Sequence, residues 1–130
     1  MRWLGIDPGA ARVGIAICDD EERIAVPLEV VPASAAVPAI RAIARREGAG
    51  GVVVGLPVTM AGREAAGAAA ARKLGERLRR VLELPIEYED ERLTTAAVER
   101  LVGRARPSDD LAAAWLLQQF IDRRRPDALD

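Results

Sequence analysis

Three carboxylates in this chain occur in settings that suit the binding of hard cations. Asp7 ends an N-terminal apolar run in Ile6-Asp7-Pro8-Gly9. Glu91 follows another short run in Asp90-Glu91-Arg92-Leu93-Thr94-Thr95, and Asp109 opens an amphipathic stretch in Ser108-Asp109-Asp110-Leu111-Ala112-Ala113. Carboxylates that separate elements bring to one sheet edge can hold divalent metal ions against a phosphodiester. Each residue also has a plain structural reading. Asp-Pro-Gly is an ordinary turn, a carboxylate ahead of a helix is a dipole partner, and Asp before an apolar-periodic helix is an N-cap. Asp110 points roughly 100° away from Asp109 around a helix, so Asp109 is the stronger candidate of that pair.

The composition removes most rival chemistries. Histidine is absent, which excludes imidazole general-base catalysis, Ser-His-Asp triads and His-ligated zinc. The two serines, Ser34 and Ser108, sit in no nucleophile elbow. Catalysis is therefore left to carboxylates, Lys73, arginines, hydroxyls, Tyr88 or a metal. The net charge of −1 does not mark a nucleic-acid binder in bulk. Arginine supplies 18 of the 19 basic residues, and it suits bidentate phosphate contacts. An Ala- and Arg-rich chain equally follows from genomic base bias, so clusters such as Arg104-Arg106 and Arg123-Arg124-Arg125 matter more than the total. Cys18 has no cysteine partner, no apolar run approaches the length of a membrane span, and no secretory leader is expected; a reducing cytoplasmic location is the default.

The elements that must position the carboxylates follow from periodicity. At 130 residues the chain is expected to be one domain, residues 1–130, with a core of its own. Strands are expected over 2–7, 12–18 and 23–31, the last broken by Pro27 and therefore an edge. Val37, Ile40, Ile43 and Ala44 repeat at helical spacing, with Gly48 as the stop. Residues 51–56 form a continuous apolar strand, as in a parallel strand buried on both faces. A helix is expected over 63–82 with Leu74, Leu78 and Val81 toward the core. A strand over 85–90 follows, with apolar and acidic residues alternating so that Glu87 and Glu89 share a side. Then come a helix capped by Thr94 or Thr95 to about Val102, a loop over 103–108 and a last helix over 109–124. The order βββ-α-β-α-β-α-α implies an α/β mixed sheet, antiparallel at first and then built by βαβ crossovers, with helices on both faces. In such a sheet, functional groups gather at the carboxyl ends of strands. The glycines of the loop from Val54 to Gly62 permit close approach to a ligand, but neither a Walker A nor a Rossmann pattern is present.

Taken together, the segments resemble the YqgF (RuvX-like) family of bacterial ribonuclease H-like proteins. The matching residues are Leu4-Gly5-Ile6-Asp7-Pro8-Gly9 with Arg12-Val13-Gly14-Ile15-Ala16, Val52 through Pro57 with Met60 and Gly62, Asp90 through Thr95, and Asp109 through Gln118. The resemblance spans nearly the whole chain in order. It implies a ribonuclease H-like five-stranded mixed sheet and a nuclease that uses Mg²⁺ or Mn²⁺. It also implies a role in maturing the 5′ end of the small-subunit (pre-16S) rRNA, with a pre-ribosomal particle as an expected partner. Carried over by position, Asp7, Glu91 and Asp109 are the catalytic metal ligands, with Glu91 preferred to Asp90. Arg12, Arg92, Arg104 and Arg106 are the expected phosphate contacts. The family start usually carries a hydroxyl and a lysine where this chain has Ala10 and Ala11, and its central loop often reads Asn-Met-Asp-Gly where this chain has Thr59-Met60-Ala61-Gly62. These departures bear on substrate contacts rather than on the acids.

Three other readings stay open at this point. A Holliday junction resolvase-like DNA endonuclease would use the same acids, with structured RNA ranked ahead of DNA junctions as the partner. A nucleotide phosphotransferase also begins with Asp-x-Gly on a first strand, but this chain is short for a two-lobed cleft. A noncatalytic RNA- or protein-binding module is favoured by Ala10, Ala11 and the near-neutral charge. No membrane partner is expected, and the oligomeric state is open.

Overall fold

The computed structural model describes residues 1–91 and 109–125. The expected helix from Thr94 or Thr95, the loop over 103–108, and Arg92, Arg104 and Arg106 lie outside the described residues. Five strands form one sheet in the order β3-β2-β1-β4-β5: β1 (Trp3–Pro8), β2 (Arg12–Cys18), β3 (Ala25–Pro32), β4 (Gly51–Leu56) and β5 (Ile86–Asp90). β1–β2 and β2–β3 pair antiparallel, whereas β4 runs parallel to both β1 and β5. Helices α1 (Ala36–Glu47) and α2 (Ala68–Leu82) cover one face, and α3 (Asp109–Arg124) covers the other. This is the mixed α/β sheet that the element order predicts. None of the described helices is long and apolar enough to cross a membrane.

The twofold alternation of strand side chains divides the core into two layers. Leu4, Ile6, Val13, Ile15, Ile17, Val52, Val54, Leu56 and Ile86 face α1 and α2, and form the larger layer. Trp3, Ala16, Cys18 and Val53 face α3 and meet Ala113, Ala114, Leu117, Phe120 and Ile121. Trp3 meets Phe120 edge-on at a centroid distance of 4.9 Å, a geometry worth about 0.5–1.5 kcal/mol beyond area burial. α1 buries the predicted stripe of Val37, Ile40, Ile43 and Ala44. It stops at Gly48, whose φ of 67° is the left-handed C-terminal cap that glycine adopts without a Cβ penalty.

Three details depart from the periodicity. α2 begins at Ala68 rather than at residue 63. The preceding residues close a small turn, with Val58 bridging Glu64, the Thr59 hydroxyl accepting from the Arg63 N–H, and Gly62 and Gly67 at positive φ. Those hydrogen bonds compete with the helix for its first turn. On α2 the buried residues are Ala68, Ala71, Gly75 and Leu78, with Leu74 partly buried; Val81 is 40% exposed and is not a core residue. β3 starts at Ala25 instead of residue 23 because the Asp19 carboxylate accepts from the N–H groups of Arg23 (2.8 Å) and Ile24 (2.9 Å), which holds both in a turn. β3 is the edge strand, as Pro27 implies.

Candidate active site

Asp7 lies at the carboxyl end of β1, directly opposite Gly14 of β2. Paired residues of an antiparallel ladder share a face, so the Asp7 side chain stands on the α3 side, as Trp3 does. Glu91 follows β5 and extends the ladder by one bond, its N–H donating to the Leu56 carbonyl at 3.2 Å. Strand β4 runs between these two carriers; its Gly55 pairs with Glu89, and the Glu91 side chain lies over it. A Cβ built on Gly55 would stand 2.5 Å from Glu91 Oε1 and 2.6 Å from Cδ. The Glu91 carboxyl therefore occupies the space where any other residue at 55 would carry a side chain. Across that gap it hydrogen bonds to Asp7.

Two carboxyl groups in contact must share a proton unless a cation intervenes. Burial first, then the hydrogen bond to Asp7, then the negative charges of Asp7 and Asp90 push the Glu91 carboxyl up to about 10. Asp7 is also raised, chiefly by burial; the bond from Glu91 opposes the rise and the charge of Asp109 adds to it. Glu91 is thus the protonated donor and Asp7 the acceptor.

Asp109 reaches this pair through a close helix approach. Its charge is felt at Asp7, while its Oδ2 lies 3.1 Å from Arg12 Nε. The helix comes that near because β2 presents Gly14 beneath it. A Cβ on Gly14 would sit 2.0 Å from the Asp109 carbonyl oxygen, and one on Gly5 would sit 2.8 Å from Leu117 Cβ. Gly5 and Gly14 of the sheet permit this approach. Among the described residues, no three carboxylates or thiols close into a metal cluster. Asp7 and Glu91 touch, whereas Asp109 is engaged by Arg12.

A family model described as RuvX, Holliday junction resolvase, matches residues 1–123. The chain belongs to the RuvX family. Curated relatives named "Putative pre-16S rRNA nuclease" agree: one from Chloroflexus aggregans is 42% identical over 94% of both chains, and one from Anaeromyxobacter sp. is 41% identical over 95% of this chain and 98% of its own. Among solved structures, Thermus thermophilus RuvC in complex with a Holliday junction substrate superposes with a TM-score of 0.60 at 22% identity, covering 95% of each chain. The fowlpox virus Holliday junction resolvase gives a TM-score of 0.54 at 11% identity. These two likenesses show the fold, which is ribonuclease H-like.

Beside Glu91 the RuvX-family chain opens a cavity of about 620 Å³, walled by Pro8-Gly9-Ala10, Pro57, Ala66-Gly67 and the first turns of α2. Pro57 brings one end of the predicted ligand loop to this wall. Met60, at the tip, is 80% exposed. Asp90 alternates away from Asp7, and its negative charge is felt at Glu91. The sequence reading missed Glu89, a carboxylate only 4% exposed on the α3 face. It accepts from Arg123 and from Gln119 Nε2 (2.8 Å), and Gln119 also reaches the Asp90 carbonyl at 3.3 Å. The signal was present. Glu89 lies on the strand side that α3 must cover, and α3 ends in an arginine cluster.

Proposed function

We propose that this RuvX-family chain is a divalent-metal-dependent nuclease of structured RNA, acting in maturation of the pre-16S rRNA 5′ end. Contact with a pre-ribosomal particle in the cytoplasm belongs to the same reading. The observation that carries it is the carboxyl pair Asp7–Glu91, closed across Gly55 at the carboxyl ends of two strands parallel to β4, with the charge of Asp109 behind it. Buried acids that share a proton suit a hard divalent cation, because the cation can replace the proton and satisfy both oxygens. The donor set is all carboxylate oxygen, which matches Mg²⁺ or Mn²⁺ rather than zinc. Asp7 and Glu91 would hold the ion and Asp109 would complete the set. When bound, such an ion activates water and stabilises the leaving oxygen.

The protein's own groups do the rest. Trp3, Val53 and Leu117 are buried together on the sheet face that carries Asp7. Arg12, 64% exposed and paired with Asp109, can exchange that carboxylate for a backbone phosphate. Arg92, Arg104 and Arg106 are proposed as further phosphate contacts. The alternative substrate, a four-way DNA junction, is favoured by the description of the family model.

The test is cleavage of precursor rRNA, single strands and four-way junctions with Mg²⁺ or Mn²⁺, comparing the parent protein with Asp7→Asn. RNA cleavage that Asp7→Asn abolishes is the expected result. Full cleavage by the folded variant would overturn the carboxylate assignment, and an absence of any carboxylate-dependent Mn²⁺ binding would favour the noncatalytic module.

A further inference from the structure

The cations of α2 are sorted by partner. Arg72 is tied to Glu64 at 2.8 Å and stacks over Tyr88, and Arg79 pairs with Glu76 at 3.2 Å. Lys73, Arg77 and Arg80 are exposed and, among the described residues, have no ion-pair partner. At positions i, i+4 and i+7 these three form one stripe on the side of the helix opposite Ala71 and Leu78. Arg41 and Arg45 of α1 are equally exposed and unpaired. They line two adjoining hollows of about 430 and 390 Å³ whose other wall includes Val81 of α2. In a protein of net charge −1, this leaves five cations on α1 and α2 without an ion-pair partner among the described residues, two of them lining the hollows and three on the outer side of α2. Glu83, at the far end of α2, is the acid that borders the second hollow.

The hollows share no lining residue with the cavity beside Glu91, and helix α2 is the element that runs from one to the other. The start of α2 walls the cavity beside Glu91. At about 1.5 Å per residue, Lys73, Arg77 and Arg80 stand roughly 9, 15 and 20 Å along the axis from Gly67. A polyanion leaving the cleft along α2 therefore meets a cation at each turn. Half-exposed Val81 lies between the arginines, a flat apolar contact for sugar or base. A second copy is a poor occupant, since a twofold contact would set these like charges against each other.

We propose that the cationic face formed by α1 and α2 is a second, noncatalytic binding track for the backbone of the RNA substrate, holding the strand beyond the scissile site. The choice of RNA rests on the nuclease reading; the charge arrangement does not. The track supplies affinity and register but no sequence readout.

The test separates the two. Binding of fluorescein-labelled precursor rRNA is followed by anisotropy in EDTA, over a range of salt, where no cleavage is needed. The variant Arg41→Gln/Arg77→Gln/Arg80→Gln is compared with a charge-matched control, Arg2→Gln/Arg23→Gln/Arg46→Gln. Losing three single-strand phosphate contacts should lower the slope of log affinity against log salt by about two. Affinity at moderate salt should fall on the order of tenfold, with the melting temperature unchanged. With Mg²⁺, KM should rise and kcat should hold. Equal slopes in the two variants would overturn the track. Single-stranded DNA of the same length should lose the same phosphate contacts, and full retention of its affinity by the triple variant would overturn a backbone track. A lost slope in a chain that cleaves nothing would keep the track and reject the nuclease.

Discussion

A single methyl group at Gly14 should separate the third carboxylate from the other two. In Gly14→Ala the new Cβ falls 2.0 Å from the Asp109 carbonyl oxygen, 2.3 Å from its carbonyl carbon and 2.8 Å from the Asp110 nitrogen. All three are backbone atoms of the first turn of α3, so no side chain can rotate out of the way. Restoring a tolerable contact of 3.0–3.4 Å requires that turn to retreat by about 1.0–1.4 Å. Overpacking of this kind costs about 1–3 kcal/mol, which in a domain of this size lowers Tm on the order of 5–10 °C. Positioning losses are larger, since about 1 Å of misplacement at a catalytic group can cost about a hundredfold in rate. The assay pairs thermal unfolding with Mn²⁺-dependent cleavage, and Gly48→Ala is the control. A Cβ on Gly48 meets nothing within 4 Å, but its φ is +67°. That variant should lose about 1 kcal/mol of stability and no activity once folded. If Gly14→Ala behaved like Gly48→Ala, the idea that sheet glycines seat Asp109 would be wrong.

Other outcomes follow from the same geometry. The Glu91 carboxyl is raised to about 10 and Asp7 is raised with it, so the folded metal-free chain holds a proton that the unfolded chain releases in the ordinary carboxylate range. The associated stability is full below that range and disappears as pH climbs through about 10. Urea unfolding in EDTA should therefore show lower stability at pH 9 than at pH 6, and Glu91→Gln should flatten the trend; a trend of the opposite sign would refute the shared proton. Arg12→Gln frees Asp109 from its 3.1 Å partner and should tighten Mn²⁺ binding several-fold while weakening nucleic-acid binding, as read by calorimetry and anisotropy. Removal of Arg123 leaves the buried Glu89 charge without its cation and should cost about 2–3 kcal/mol. Glu89→Gln leaves only the exposed Arg123 unpaired and should cost less, and the reverse order in urea titrations would contradict the burial argument.

Much of this arrangement was legible in the sequence because it rests on period and punctuation. Val37, Ile40 and Ile43 announced α1, the unbroken run Val52-Val53-Val54 announced a strand covered on both faces, and Pro27 announced the edge. The acids were legible as strand-end and helix-start residues, and their order matched a known family. Less visible was anything decided by a partner distant in the chain. The delayed start of α2 depends on Val58 meeting Glu64, and the exposure of Val81 depends on where α1 crosses α2. Glu89 reads as one more surface acid until Arg123, 34 residues later, folds over it. The roles of Gly14 and Gly55 were hidden for the same reason: what they do is make room for Asp109 and Glu91.

Apart from the Asp109–Arg12 pair, the described side-chain ties of α3, and of Arg125 just beyond it, gather toward the second half of the helix. Gln118 bonds Ala25 and Arg23, Arg123 and Gln119 grip Glu89, and Arg124 and Arg125 clasp Glu22. Asp109 stands about 14 Å away along the axis, on the glycine seat. Mechanically the helix is a lever clamped at one end, and a tilt of about 4° at the clamp moves Asp109 by about 1 Å. Changes in the hairpin around Glu22, at the opposite end of the molecule from the carboxylates, would then be felt as changes in metal affinity.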